Sequence, residues 1–358
     1  MRDRREFLRL SAATAAWAMI RAASAAPESR SLNLLFLGGT GFLGPFQVEY
    51  ALARGHRVTL FNRGRGAQAP YGGRVEVLIG DRDSKVGAGL SALQGSRQWD
   101  AVIDNSGYVP RHVSDTADLL GDRVRRYIYT STVAVYPTDR GGRFDERSVL
   151  RESVVPATEV VTGETYGPLK ADCERALAAR LGQRLTNVRP TYVVGPGDET
   201  DRFTYWVQRV ASGGRVLGPP DPDSDLQWID VRDLCPWIVS LAERDLPGDF
   251  VAAGPRQPMP WRKVLGTLGQ LSNERVEFRW AKAEAMRANH LSLPLVDDVV
   301  GKATFVGDKA AAHGLRYRPL LETASATLEW WNAQTSQRRA SARGWPTRDQ
   351  EQAVITAS

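Results

Sequence analysis

The chain has 358 residues, of which 42% are hydrophobic and 25% charged, enough to bury a large core. Its formal net charge is +6, but residues 1–25 hold five arginines against two carboxylates, which leaves +3 for the remainder. So small an excess does not indicate a nucleic-acid surface, which needs a basic stripe. The four histidines and two cysteines have no metal-ligand spacing. We therefore expect no metal site, and two buried thiols rather than a disulfide.

The first 25 residues have the features of an export signal. Arg4 and Arg5 precede an alanine-rich apolar run over residues 10–20, and Ala23-Ser24-Ala25 offers a small-x-small cleavage site. The segment resembles a twin-arginine signal, which predicts a periplasmic or secreted protein. The alternative is an amphipathic helix that stays on the chain. No segment reaches the roughly 20 apolar residues of a membrane span.

A glycine-rich turn follows the first predicted strand. Residues 32–37 are apolar, residues 46–52 have helical character, and the glycines between them are spaced with two residues in each gap. Gly38 permits a tight turn, Gly41 lets the backbone approach a pyrophosphate, and Gly44 allows the helix to pack closely. Free N–H groups at the helix N-terminus would face the anion. The alternative is a glycine-rich turn that binds nothing.

Further short apolar segments alternate with helical or irregular stretches, as in a doubly wound parallel sheet. The predicted strands cover residues 32–37, 57–61, 74–79, 101–104, 127–131 and 186–188. We therefore predict an α/β fold with a Rossmann-type sheet. Residues 213–220, rich in glycine and proline, interrupt the later part of the pattern.

Tyr166 and Lys170 are four residues apart in a helical stretch, so their side chains share one face. A free tyrosine is a poor base because its pKa is about 10. An ammonium group about 4 Å away stabilises the phenolate by up to about 4 kcal/mol. We therefore expect Lys170 to lower the pKa of Tyr166 into a working range. The alternative is an exposed pair without a role.

Three features together resemble the extended short-chain dehydrogenases/reductases and are most similar to the NAD-dependent epimerases/dehydratases. They are the glycine run, the Tyr-x-x-x-Lys pair and the segment Tyr129-Thr130-Ser131-Thr132-Val133-Ala134-Val135-Tyr136 between them. The resemblance extends from about residue 32 to residue 331 and includes residues 228–234. It implies a dinucleotide-binding domain at 31–190, a smaller substrate lobe at 191–332 with segments returning to the core around 225–255, and a polar tail at 333–358.

The resemblance also implies a catalytic hydroxyl that holds the substrate oxygen beside the Tyr/Lys pair. By alignment this hydroxyl belongs to Thr132, with Ser131 as the second candidate. Nucleotide-sugar 4,6-dehydratases of this family carry an Asp-Glu pair directly after it. Here these positions are Val133 and Ala134, which disfavours water elimination.

The same resemblance implies which residues meet the dinucleotide. NAD-preferring members have an aspartate at the end of the second strand, whereas this chain has Asn62 and Arg63. Without that carboxylate a 2′-phosphate is not repelled, which favours NADP over NAD. Asp81 falls where the family contacts adenine, although aspartate is also common in turns. The predicted cofactor-binding residues are Gly38, Thr40, Gly41, Phe42, Leu43, Gly44, Asn62, Arg63, Asp81, Ser106, Gly107, Lys170 and Pro190.

Candidates for substrate contact follow the stretch that should pass the nicotinamide and enter the lobe. Aromatic and charged side chains together suit a polyhydroxylated ligand, although a surface helix has the same composition. In addition to Ser131, the candidates are Asp198, Asp201, Arg202, Tyr205 and Trp206.

These features predict an NAD(P)-dependent epimerase or oxidoreductase that acts on a sugar or another small hydroxyl or carbonyl compound. Since a cofactor released outside the cytoplasm would be lost, we expect it to be held tightly and restored within each cycle. The alternative is a non-catalytic binding protein, for RNA or another ligand, on a retained dinucleotide-binding fold. The charge gives no reason to expect nucleic acid. A homodimer is expected by analogy alone.

Overall fold

The computed structural model describes residues 30–65, 70–296 and 303–357, and the predicted export signal lies outside them. The strands are β1 (Asn33–Leu37), β2 (Arg57–Asn62), β3 (Glu76–Ile79), β4 (Trp99–Asp104), β5 (Val124–Thr130), β6 (Gly142–Phe144), β7 (Leu185–Pro190), β8 (Tyr192–Val194), β9 (Gly214–Gly218), β10 (Asp225–Leu226), β11 (Trp228–Asp230), β12 (Gly248–Ala252), β13 (Met259–Pro260), β14 (Val276–Trp280) and β15 (Ala303–Phe305).

Seven of these strands form one parallel sheet in the order β12-β7-β5-β4-β1-β2-β3. Leu37 of β1 lies opposite Phe61 of β2 on one side and Asp104 of β4 on the other. The predicted doubly wound fold is confirmed, and every predicted strand is present with slightly different bounds. The edge strand β12 lies in the segment around residues 225–255 that was expected to return to the core.

Helices cover both faces of the sheet. They are α1 (Gly44–Ala53), α2 (Pro110–Leu120), α3 (Tyr166–Leu181), α4 (Arg202–Ala211), α5 (Val231–Glu243), α6 (Trp261–Leu268), α7 (Ala283–Ala288), α8 (Asp308–Ala312), α9 (Leu320–Asn332), α10 (Ser336–Ala340) and α11 (Arg348–Ala357). Helices α1 and α5 pack together on one face, and α2 and α3 pack together on the other. No helix in the described ranges combines the length and apolarity that crossing a bilayer requires.

Strand β1 is almost entirely apolar because both of its faces are covered. Leu34 and Phe36 join the core under α1 and α5, whereas Leu35 and Leu37 join the core under α2 and α3. This alternation is the two-residue period of a strand. Each such fully buried side chain contributes roughly 1.5–3 kcal/mol of hydrophobic stabilisation. Burial on both faces therefore accounts for the apolar run that marks β1 in the sequence.

The strand order reverses at β1, which has β2 on one side and β4 on the other. Loops that leave neighbouring strands in opposite directions at such a point open a crevice at the carboxyl ends of the strands. The glycine turn follows β1 directly. The segments after β4, β5 and β7 lie at the same edge because all of these strands are parallel. The sheet therefore assembles the predicted site residues at this edge.

The lobe has a core of its own, built mainly on α4, α6 and the parallel pair β9 and β14. The segment predicted as a polar tail packs against this core as α10 and α11. Glu351 in α11 is buried, and its carboxylate accepts hydrogen bonds from the Tyr205 hydroxyl at 2.8 Å and Arg209 Nε at 2.6 Å. The end of the chain is therefore a structural part of the lobe.

Candidate active site

The three spaced glycines occupy positions where backbone conformation or close contact matters. Gly38 has a φ of +88°, and a Cβ there would lie 3.0 Å from the Cβ of Ser106. A Cβ on Gly44, the first residue of α1, would lie 2.2 Å from the carbonyl carbon of Gly39. Gly41 is exposed, and the nearest atom to a Cβ there is 4.0 Å away. The turn is thus tight against the helix and open above Gly41, as a cradle for an anion requires.

Tyr166 is the first residue of α3 and lines a cavity at this edge of the sheet. Burial raises the pKa of its phenol to about 12, and the neighbouring Tyr108 adds to the rise. The nearby Thr132 hydroxyl and the positive charge of Arg202 oppose this rise in the pKa. The structure therefore places the predicted tyrosine and threonine in the wall of the same cavity.

Thr132 lies in the short turn that follows β5, and its Oγ1 accepts a hydrogen bond from the Ala134 N–H at 3.2 Å. The next helix starts in direct contact with this turn: a Cβ on Gly167 would lie 2.3 Å from the Ala134 carbonyl oxygen. A glycine directly after Tyr166 therefore permits the close approach of α3 to the turn that carries Thr132.

Lys170 is buried one helical turn further along α3. Its Nζ donates hydrogen bonds to the carbonyl oxygens of Gly107 and Thr130, both at 2.8 Å, and lies 4.1 Å from the centre of the Tyr129 ring. Burial lowers the pKa of Lys170 to about 8. The expectation that Lys170 lowers the pKa of Tyr166 is therefore wrong for this arrangement, because burial of the phenol prevails.

A buried polar network at the end of β4 was not predicted from the sequence. Arg82 Nη1 donates to Asp104 Oδ1 at 2.6 Å, and the Tyr127 hydroxyl donates to Asp104 Oδ2 at 2.6 Å. Arg82 Nη1 also donates to Ser106 Oγ at 3.1 Å. The negative charge of Asp104 opposes the lowering of the Lys170 pKa. The one signal in the sequence is a carboxylate that ends an apolar strand.

The predicted cofactor-binding residues fall into two groups. Those that line the cavity are Gly38, Gly41, Phe42, Leu43, Lys170 and Pro190. Thr40, Gly44, Asn62, Arg63, Asp81, Ser106 and Gly107 lie outside its lining. Asn62 Oδ1 accepts from the Gly64 N–H at 2.8 Å, Asp81 Oδ1 accepts from the Asp83 N–H at 2.9 Å, and Arg63 is exposed. A cofactor role stays a prediction for both groups.

The cavity has a volume of about 1170 Å³ and extends from the glycine turn to the lobe. Two hydroxyls in its lining, Ser131 Oγ and Thr191 Oγ1, are buried without a hydrogen-bond partner among the described residues. Buried hydroxyls normally have hydrogen-bond partners, so these two groups indicate a place where a ligand or a water molecule can bind. Lys170 uses two of its three N–H groups on carbonyl oxygens. Together with the open turn at Gly41, these groups fit a dinucleotide.

The candidates for substrate contact are only partly brought to the cavity. Ser131, Asp198 and Arg202 line it. The prediction that Tyr205 and Trp206 contact substrate is wrong, because both are buried in the core of the lobe. The amphipathic helix α4 directs them inward, so their aromatic surface packs against protein.

Asp201 likewise has a structural role. Its carboxylate is fully buried and binds the guanidinium of Arg338, with Oδ1 accepting from Nη2 at 2.6 Å. This ion pair joins the start of α4 to α10. Both cysteines are buried and free, as predicted. In the described part of the chain, no group of three or more His, Cys, Asp or Glu side chains could hold a metal ion.

The switch-point crevice with its glycine turn and Tyr/Lys/Thr cluster defines a dinucleotide-binding α/β protein. Residues 34–253 match the model of the NAD dependent epimerase/dehydratase family. The match spans more than half of the chain, which therefore belongs to this family.

Two relatives illustrate the range of proteins to which the chain is similar. It is 27% identical over 215 residues to the chloroplast stem-loop binding protein of 41 kDa b of Arabidopsis thaliana, covering 56% of this chain but only about half, 51%, of that protein. It is 27% identical over 265 residues to 2-alkyl-3-oxoalkanoate reductase of Stenotrophomonas maltophilia, covering 66% of this chain and 74% of that protein.

Among solved structures, the UDP-glucose 4-epimerase of Thermus thermophilus in complex with NAD has a similar fold. The TM-score is 0.61 at 18% sequence identity, and the superposition covers 85% of this chain and 100% of that one. At this identity the likeness shows the fold alone.

Proposed function

We propose that this chain is an NAD(P)-dependent oxidoreductase or epimerase that interconverts a hydroxyl and a carbonyl group through Tyr166, Thr132 and Lys170. The observation that carries the proposal is that Tyr166, Thr132 and Lys170 all line one cavity, whose wall also contains the glycine turn. Two hydroxyls in one cavity wall can both hydrogen-bond one substrate oxygen. The unpartnered Ser131 and Thr191 hydroxyls support a ligand in the same cavity.

The pKa values of Tyr166 and Lys170 determine their protonation states near pH 7. With a pKa of about 12, Tyr166 is neutral near pH 7, so its phenol can give its proton to a carbonyl oxygen that Thr132 also holds. In the reverse direction the substrate hydroxyl returns the proton to the phenolate. Lys170, with a pKa of about 8, is mostly charged at pH 7, and its Nζ holds the carbonyl oxygens of Gly107 and Thr130 beside the cavity. Gly38, Gly41 and Lys170 would hold the dinucleotide, which would supply the hydride for the substrate carbon or take it up.

The test is Tyr166→Phe, with Tyr50→Phe in α1 as a matched control outside the cavity lining. We expect Tyr166→Phe to lower turnover at least about 100-fold, because the proton donor is lost. Cofactor affinity should stay within about twofold, because the phenyl ring remains. Turnover is followed as oxidation of NADPH or NADH with a panel of ketones, aldehydes and nucleotide sugars. Equal activity of Tyr166→Phe and Tyr50→Phe would contradict the proposal.

We further propose that the cofactor is held tightly and regenerated within each catalytic cycle. The motivation is the segment that resembles a twin-arginine signal, since that route is expected to carry folded proteins that have already bound their cofactor. Hydride taken from a substrate carbon would return to the same or a second substrate, which favours epimerisation or redox-neutral exchange. Native mass spectrometry of protein purified from the exported compartment tests this idea. A chain without dinucleotide that needs a continuous supply of NADPH would contradict it.

A second candidate function is a non-catalytic binding protein on the same fold. The relative from Arabidopsis thaliana, named as a stem-loop binding protein, favours this candidate. The presence of Tyr166, Thr132 and Lys170 in the lining of one cavity argues against lost catalysis. Electrostatic RNA binding weakens steeply as salt rises. Salt-dependent binding of a generic RNA hairpin, together with no turnover in the panel above, would support this second function.

A further inference from the structure

The substrate end of the cavity lies between the lobe and the loop before α3. Apart from Lys170, the charged side chains in the cavity lining are Arg151, Glu164, Asp198, Arg202 and Asp225. Arg151 is already compensated, since its Nη2 donates to Asp139 Oδ1 at 2.8 Å and its Nε donates to the Ala134 carbonyl oxygen at 3.1 Å. Three carboxylates therefore face one guanidinium, that of Arg202, which lacks a compensating salt bridge within the described ranges.

Arg202 is held against the wall. Its guanidinium carbon lies 5.1 Å from the centre of the Tyr192 ring, and its Nε donates to Thr200 Oγ1 at 3.1 Å. Its positive charge also acts on Asp198, where it opposes the rise in the pKa of that carboxyl. With Asp198, Glu164 and Asp225 against Arg202, this end of the cavity carries more negative than positive charge.

Asp198 is the most buried of these carboxylates, with only 2% of its surface exposed. Its Oδ1 accepts hydrogen bonds from the N–H and the hydroxyl of Thr200, at 2.9 and 2.7 Å. These bonds hold the side chain in place at the cavity wall. A diphosphate in this space would bring further negative charge next to a buried carboxylate, where the low dielectric strengthens repulsion.

The wall around Leu226 and Gln227 is apolar, or its polar groups are already paired. Leu226, Trp261, Leu295, Ala303 and Phe305 all line this end. Gln227 is satisfied by Phe305, to which its Nε2 donates at 2.9 Å and from whose N–H its Oε1 accepts at 2.7 Å. The Ser224 hydroxyl donates to a backbone carbonyl at 2.7 Å.

A sugar presents several hydroxyls, each of which loses free energy if it is buried without a partner. The part of the wall formed by Gln227, Ser224 and the apolar side chains around them has no free polar group to satisfy these hydroxyls. Two exposed valines, Val160 and Val161, also precede the lining residues Gly163 and Glu164 in the chain and extend the apolar surface outward.

We infer that the substrate of this site is an uncharged hydroxyl or keto compound with an apolar body, and that Asp198 is the residue that excludes nucleotide diphosphates. The inference rests on the proposed function, since it concerns the same cavity, and it narrows the substrate class. The proposed substrate class differs from the nucleotide sugar in the name of the solved structure of similar fold.

The test uses binding by calorimetry on the full chain saturated with NADP or NAD, so it does not depend on turnover. The probes are UDP-glucose and a series of methyl ketones from 2-butanone to 2-decanone. The variant is Asp198→Asn, which keeps an acceptor for Thr200. The control is Asp122→Asn, an exposed carboxylate just before β5, at the opposite edge of the sheet.

We expect the wild type to bind UDP-glucose more weakly than about 1 mM. Asp198→Asn should bind it at least about tenfold more tightly, and Asp122→Asn should match the wild type. Ketone affinity should rise by about fourfold for each added methylene until the cavity is filled.

Micromolar binding of UDP-glucose by the wild type, no gain in Asp198→Asn, or ketone affinity independent of chain length would each overturn the inference. Failure of the proposed function would give a different result, because Tyr166→Phe would then turn over substrate as fast as its control.

Discussion

Gly44→Ala tests whether the contact between the glycine turn and α1 sets both stability and dinucleotide binding. The added Cβ would lie 2.2 Å from the carbonyl carbon and oxygen of Gly39, a backbone contact that no side-chain rotation relieves. Overpacking of this kind lowers the free energy of unfolding by about 1–3 kcal/mol, and we expect a backbone clash to give a value at the upper end of this range. The shift also moves the N–H groups of the turn, so we expect NAD affinity to fall at least about tenfold.

The matched control is Gly266→Ala in the middle of α6, which adds the same methyl group where nothing lies within 4 Å of it. Relief of the glycine penalty in a helix should raise the free energy of unfolding by about 0.5–1 kcal/mol. Urea unfolding and NAD titration of both variants give the measurement. If Gly44→Ala is as stable as the wild type and binds NAD equally well, the close approach of helix and turn is not what the glycine provides.

Two further predictions concern charge. The folded-state pKa of Lys170, about 8, lies below that of an unfolded lysine, so the unfolded chain binds more protons between about pH 8 and 10.5. The free energy of unfolding should therefore rise over this range by about 3 kcal/mol relative to Lys170→Met, measured by urea denaturation at both ends; parallel profiles would contradict the burial argument. The exposed Arg63 should favour NADPH over NADH, and Arg63→Ala should remove that preference in fluorescence titrations. Equal affinities of the wild type for NADPH and NADH would contradict this prediction.

The features that were predicted correctly are local ones. The apolar run of β1, the glycine turn and the helical spacing of Tyr166 and Lys170 each depend on backbone geometry over a few residues, which a single sequence displays. The approximate positions of the central strands also follow, because a strand covered on both faces must be apolar throughout. From these elements the doubly wound sheet and the assembly of the Tyr166, Lys170 and Thr132 side chains at one edge could be anticipated.

The features that could not be predicted from the sequence depend on distances between residues that lie far apart in the chain. Burial, and not the charge of Lys170, dominates the pKa of Tyr166, and desolvation is set by the whole surrounding packing. Arg82 reaches Asp104 across 22 residues, and Glu351 reaches Tyr205 across 146. The sequence presents Tyr205 as a substrate candidate and Asp198 as one of several carboxylates. Only the tertiary structure buries the first in the lobe and places the second at the cavity wall, because the direction of each side chain is fixed by the elements packed around it.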